Sequence, residues 1–159
     1  VHEELGVDLA PTAISTAVVE RLDRLYRERL PLLPRARETV IAAAARWPLG
    51  LASSANREII DLVLELAELD ACFDATVSSE EVAHGKPAPD VYLEAARRLR
   101  VAPTECAAVE DSTNGLRSAA AAGMTVVAIP NEAFPPSEDS LQLATAVIHS
   151  LDELIPVLE

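Results

Sequence analysis

Beyond about residue 34 the chain alternates short apolar runs with amphipathic stretches. That alternation confines it to one kind of architecture, parallel strands joined by crossover helices. Helices are expected at about 35–47 (Val40, Ile41, Ala44, Ala45), 57–69 (Ile59, Ile60, Val63, Leu64, Leu66), 89–100 and 113–122. Between and after them fall strands at Leu49–Ser53, Ala75–Ser78, Cys106–Glu110 and Thr125–Ile129, with a weaker one at Ala146–Ile148. Ser150 is placed to cap a last helix, Leu151–Leu158, and residues 131–140 read as a surface loop. Residues 1 to about 32 read as helical throughout, with Ile14, Val18, Leu22 and Leu25 recurring at spacings of three and four. Pro31 and Pro34 put a boundary near 30–34. The expected class is α/β, a parallel sheet flanked by helices, preceded by a helical module too small to fold alone.

At 159 residues the chain suits one compact domain, or one domain and part of another. Its formal charge of −13 argues against nucleic acid or an anionic membrane as partner, because both require a basic surface. A small phosphorylated ligand stays admissible, since one local metal ion or lysine reverses the field inside a cleft. Cys72 and Cys106 stand far apart in apolar surroundings and read as buried thiols of a reducing compartment. With no signal peptide and no apolar run of membrane-spanning length, a cytoplasmic protein is expected. The chain opens Val-His-Glu-Glu and its one methionine is Met124, so it reads as a fragment, or as a protein whose N-terminal part lies upstream.

Ligands of open α/β sheets sit at the carboxyl ends of strands, and three such places carry polar residues. The first is Ser53-Ser54-Ala55-Asn56, where a strand turns into a helix. Hydroxyls and free amides there would hold a phosphate group, although the same residues are ordinary helix caps. The second is Gly85-Lys86-Pro87-Ala88-Pro89-Asp90, which holds the only lysine; the other twelve basic residues are arginines. A compact ammonium on a flexible stem suits a phosphoryl group or a carboxylate nucleophile better than a forked guanidinium, while a stray surface lysine is the alternative. The third is Val109-Glu110-Asp111-Ser112-Thr113-Asn114-Gly115, two adjacent acids after a run that reads as a buried strand. Hard carboxylate oxygens suit Mg²⁺; otherwise Asp111 caps the next helix and Glu110 is solvated.

In order and wording the three segments resemble motifs two, three and four of the haloacid dehalogenase superfamily, in the branch of phosphatases and mutases related to β-phosphoglucomutase. The resemblance runs from about Leu33 to Pro130 and includes Ala119-Ala120-Ala121-Ala122-Gly123-Met124. It implies a Rossmann-like core over residues 33–159 and assigns residues 1–32 to the C-terminal part of a helical cap. It further implies that Ser53 binds the transferring phosphoryl group through its hydroxyl, aided by the Ser54 amide. Lys86 would contact phosphoryl oxygens and the nucleophile, Glu110 and Asp111 would bind Mg²⁺, and Asn56 and Arg57 could reach a substrate. Retained acids favour phosphate chemistry over carbon–halogen cleavage.

One departure is large. The family's nucleophile is the first aspartate of an Asp-x-Asp-Gly-Thr motif on its first strand, and among Asp8, 23, 61, 70, 74, 90, 111, 139 and 152 no two stand two residues apart. Aspartyl-phosphate chemistry requires that carboxylate. Two expectations follow: a Mg²⁺-dependent phosphohydrolase or phosphomutase of a small phosphorylated metabolite, sugar phosphates favoured, whose aspartate and first strand lie upstream; or an inactive binding or scaffold protein of the same fold.

Overall fold

The computed structural model describes residues 10–159, so the helical reading of residues 1–9 lies outside the described residues. Helix α1 (Pro11–Glu28) precedes the α/β core and lies against helix α3 (Arg57–Ala67). Its half-buried positions include Ile14, Val19, Leu22 and Tyr26, whereas Val18 is 50% exposed and Leu25 is also exposed. The apolar stripe expected through Val18 and Leu25 is thus rotated: α1 packs chiefly on α3, and the side facing it is the one covered.

The core follows the alternation in the sequence. Helix α2 (Ala36–Ala44) leads to strand β1 (Gly50–Ser53), α3 and strand β2 (Ala75–Ser78). Helix α4 (Asp90–Leu99), strand β3 (Ala107–Glu110), helix α5 (Thr113–Ala121) and strand β4 (Thr125–Ala128) follow. The expected loop at 131–140 ends in a short helix, α6 (Glu138–Leu141), because Ser137 and Ser140 close a local hydrogen-bonded turn. Strand β5 (Ala146–Val147) comes next. The final helix, α7 (Leu154–Leu158), starts later than expected: Ser150 does cap, but it caps a 3-10 turn at Leu151–Glu153.

All pairings are parallel, yet the strands form two sheets, β1–β2 and β3–β4–β5. Helices α4 and α5 cover one face of both, through Val77, Val91, Ala95, Ala108, Leu116, Ala119 and Val126. On the opposite face α3 packs Ile60 and Leu64 near Leu51, and α7 packs Leu154 against Val127 and Ile148. Between the two sheets runs a cleft of about 910 Å³ lined by β1, β3, α2, α4 and α7. Strand β3 borders it, so Ala107 is exposed and Val109 is 38% exposed, where the sequence read as a fully buried strand. Cys72 and Cys106 are half-buried free thiols rather than buried ones. No described helix is long and apolar enough to cross a membrane.

A charged network fixes the turn after β2. Glu81 pairs with Arg57 and, at 2.6 Å, with Arg98; Glu94 receives both Arg97 and Arg98. Hydrogen bonds from these arginines hold the Glu81 and Glu94 carboxyls down at about 2, from an ordinary 4.5. A depressed carboxyl pKa contributes stability above its unfolded value and loses it as pH falls toward the folded one. The melting temperature is therefore expected to drop between about pH 4.5 and pH 2, and Glu81→Gln should flatten that part of a calorimetric pH series. In the core, Leu116→Ala removes a wholly buried side chain and is expected to cost about 2–5 kcal/mol in urea unfolding.

Candidate active site

The three sequence segments converge on the rim of the cleft, where Ser53, Ser54, Lys86, Glu110 and Asp111 line one cavity. Lys86 reaches it from the loop between β2 and α4, after which the Lys86–Pro87 peptide is cis. Its Nζ donates to the Ala52 carbonyl of β1 at 3.1 Å, pairs with the Glu110 carboxylate of β3, and lies 3.4 Å from the Tyr92 hydroxyl. The side chain of Lys86 is 11% exposed and that of Glu110 7%, so this is a buried ion pair joining two strand ends.

A buried carboxylate needs every oxygen satisfied. Oε1 of Glu110 receives Lys86 and the Tyr92 O–H, while Oε2 accepts from the Asp111 N–H and the Ser112 hydroxyl at 3.3 Å each. Burial first, and then the Glu110 charge, push the Tyr92 phenol far above its ordinary range, so it stays protonated as a donor. The Tyr92 ring also lies 4.7 Å from the ammonium, a cation–π arrangement. Helix α5 begins beside the carboxylate, and Gly115 in its first turn leaves the room: a β-carbon there would overlap Glu110. The cap of α5 is Ser112, whose hydroxyl accepts from the Gly115 N–H at 3.1 Å. Neither bland alternative holds, because Asp111 is not the cap and Glu110 is not solvated.

The serine loop is held from the β2 side. Ser78 and Ser79 hydroxyls donate to the Ala55 and Ser54 carbonyls at 2.8 and 3.1 Å. Ser53 Oγ accepts from the Ala55 N–H. Asn56 does not face the cleft: its amide donates to Glu80, which also accepts the Arg57 N–H and so caps α3. The Arg57 guanidinium is committed to Asp61, Thr76 and Glu81. Both residues are tied into the turn after β2, away from the substrate-facing place the resemblance implied for them, and Glu80 supplies the side-chain cap that Asn56 would otherwise give α3. Tyr92 and Gly115 had no role in the sequence reading. The scarcity of aromatics was the available signal for Tyr92, one of five.

For a divalent cation the donor set is partial. Asp111 is an exposed carboxylate with no side-chain partner among the described residues, which suits Mg²⁺, but both Glu110 oxygens are engaged. No group of three or more potential ligand side chains exists among the described residues. Of the two adjacent acids, only Asp111 keeps a carboxylate that could be offered to a cation. The tight seat of Glu110 is testable: Gly115→Ala should lower urea stability by about 1–3 kcal/mol. Gly50→Ala should cost less, because there the new carbon meets the Leu99 side chain at 3.1 Å and the Ala95 β-carbon at an ordinary 3.6 Å.

Residues 2–123 match the model of haloacid dehalogenase-like hydrolases. Hexitol phosphatase B of Escherichia coli K12 is 37% identical over 138 residues, covering 86% of this chain and 62% of that protein. Fructose-1-phosphate phosphatase YqaB of the same organism is 33% identical over 120 residues, covering 76% and 63%. The crystal structure of CbbY from Rhodobacter sphaeroides in complex with phosphate superposes with a TM-score of 0.83 at 29% identity, over 93% of this chain and 67% of that one. The chain thus spans less than two thirds of the length of these two curated relatives. The Rossmann-type α/β fold and the matched motifs place this chain among the haloacid dehalogenase-like hydrolases.

Proposed function

We propose that the chain is the larger part of a Mg²⁺-dependent phosphohydrolase or phosphomutase that acts on a small phosphorylated metabolite, a sugar phosphate foremost, in the cytoplasm. The observation that carries this reading is the meeting of Ser53, Ser54, Lys86, Glu110 and Asp111 on one rim. The similarity to hexitol and fructose-1-phosphate phosphatases supports the choice of substrate class.

In this reading the Ser53 hydroxyl and the Ser54 amide hold phosphoryl oxygens; among the described residues the Ser54 N–H donates to no protein acceptor. Lys86 neutralises charge on the phosphoryl group and keeps its bond to Glu110. Glu110 serves mainly to aim that ammonium. Asp111 holds Mg²⁺, which supplies Lewis-acid stabilisation of the equatorial oxygens. The nucleophilic aspartate belongs to a segment upstream of Val1, and α1 is the end of a helical cap. Asn56 and Arg57, tied into the Glu80–Glu81 turn, hold the loop and do not touch substrate.

The test uses the protein extended upstream to the length of its relatives. It should hydrolyse p-nitrophenyl phosphate, lose that activity in EDTA, and regain it with added Mg²⁺. Lys86→Ala should lower turnover by about a hundredfold or more, and residues 1–159 alone should show negligible turnover. Absence of metal-dependent hydrolysis in the longer protein refutes the assignment.

A further inference from the structure

Ser118 lies in the middle of α5 with none of its surface exposed, and it takes no direct part in the rim. A serine inside a helix ordinarily turns its hydroxyl to solvent or back to the carbonyl four residues earlier. Ser118 instead donates at 2.6 Å to the carbonyl of Ala88, in the segment that carries Lys86. That segment is poor in backbone bonds of its own. No helix or strand spans the residues between Glu81 and Asp90, and Pro87 and Pro89 have no N–H to give. At its start the Asp90 carboxylate accepts the His84 N–H at 3.2 Å and meets the His84 ring Nδ1 at 3.0 Å. Within it the Ala88 N–H reaches the Gly85 carbonyl at 3.1 Å. The Ser118 hydroxyl ties its far end to another element.

Both halves of the buried ion pair are thereby referred to one helix. One turn before Ser118, and next to it on the helix surface, Gly115 leaves the space that Glu110 occupies, and the Ser112 hydroxyl at the cap donates to that carboxylate. Helix α5 thus sets the acid from its first turn and the lysine loop from the next. An ammonium on a flexible four-carbon stem is aimed only as well as the backbone beneath it is fixed. Neither Ser118 nor Ala88 lines the cleft between the sheets, so their bond does not depend on what stands beside β1 and β3.

We propose that Ser118 is a positioning residue: by holding the Ala88 carbonyl it sets where the Lys86 ammonium stands against Glu110 and the phosphoryl group. The consequence for turnover rests on the phosphatase reading given above, whereas the hold on Lys86 does not.

The variant is Ser118→Ala. Its control is Ser140→Ala, which removes an equally buried hydroxyl bonded to the Ser137 carbonyl at 2.8 Å and not to the lysine loop. In residues 1–159 the ¹⁵N signal of the Lys86 side chain is recorded for each, unambiguous because it is the only lysine. The signal is expected to shift in Ser118→Ala and to stay in place in Ser140→Ala. Ser118→Cys, close in size but a weak donor, should fall between wild type and Ser118→Ala. In the protein extended upstream, Ser118→Ala should lower kcat for p-nitrophenyl phosphate about tenfold or more, because a misplaced charge stabilises the transition state less well. A smaller folded fraction would lower kcat too, so Ser118→Ala is also combined with Lys86→Ala. In that background it should change kcat by less than about twofold, since a residue that acts through another then has nothing to act on. An unmoved Lys86 signal in Ser118→Ala overturns the proposal, as does an equal shift in Ser140→Ala. A loss of kcat that persists undiminished without Lys86 also overturns it, because the role is then in the frame alone. A shifted signal together with no Mg²⁺-dependent hydrolysis by the longer protein removes the phosphatase reading and leaves the hold on Lys86 standing. Hydrolysis untouched by Ser118→Ala does the reverse.

Discussion

The structure depends on one buried negative charge. Glu110 ends β3 inside the protein, and an unpaired carboxylate there would be several kcal/mol unfavourable. Each neighbour answers to that fact. Lys86 supplies the countercharge, Tyr92 a neutral donor, Ser112 and the Asp111 amide the remaining bonds, and Gly115 the space. Because Lys86 also holds the Ala52 carbonyl, the charge balance doubles as a clasp between two sheets with no ladder bonds between them. The arrangement explains why arginine does not serve: three acceptors in different directions surround one small ammonium, and a planar fork could not address them together.

A second constraint positions the serine loop without entering the cleft. Glu80 and Glu81 project from one short turn after β2, the first capping α3 and the second binding arginines from α3 and α4. The arginines bunched around this turn contribute to rigidity here, not to solubility alone. The Ser53–Asn56 segment is set by backbone acceptors on one side and this network on the other, so its amides are oriented before any ligand arrives.

The sequence revealed the order of strands and helices because their apolar periods differ, and it revealed Lys86 because one lysine among twelve arginines is conspicuous. It also drew attention to Glu110 and Asp111, but not to their difference. Adjacent acids on a strand point to opposite faces, and only the fold shows which is buried. Asn56 illustrates another limit. Its type suits a helix cap, yet Glu80, distant in sequence, takes that role, and no local pattern encodes a contact of that range. Strand β3 shows a third. An apolar run reports a taste for burial, whereas the exposure of Ala107 and Val109 is decided by what lies beside them.

Helix α1 meets the core over the first two turns of α3, near Glu58, Ile59 and Leu62. None of its described side chains is fully buried. Such a contact behaves as a loosely bolted lever and not as part of the frame. Its point of attachment lies one turn from Asn56, where the serine loop hands over to the helix. Helix α1 thus adjoins the serine half of the rim and lines no part of the cleft beside Lys86 and Glu110.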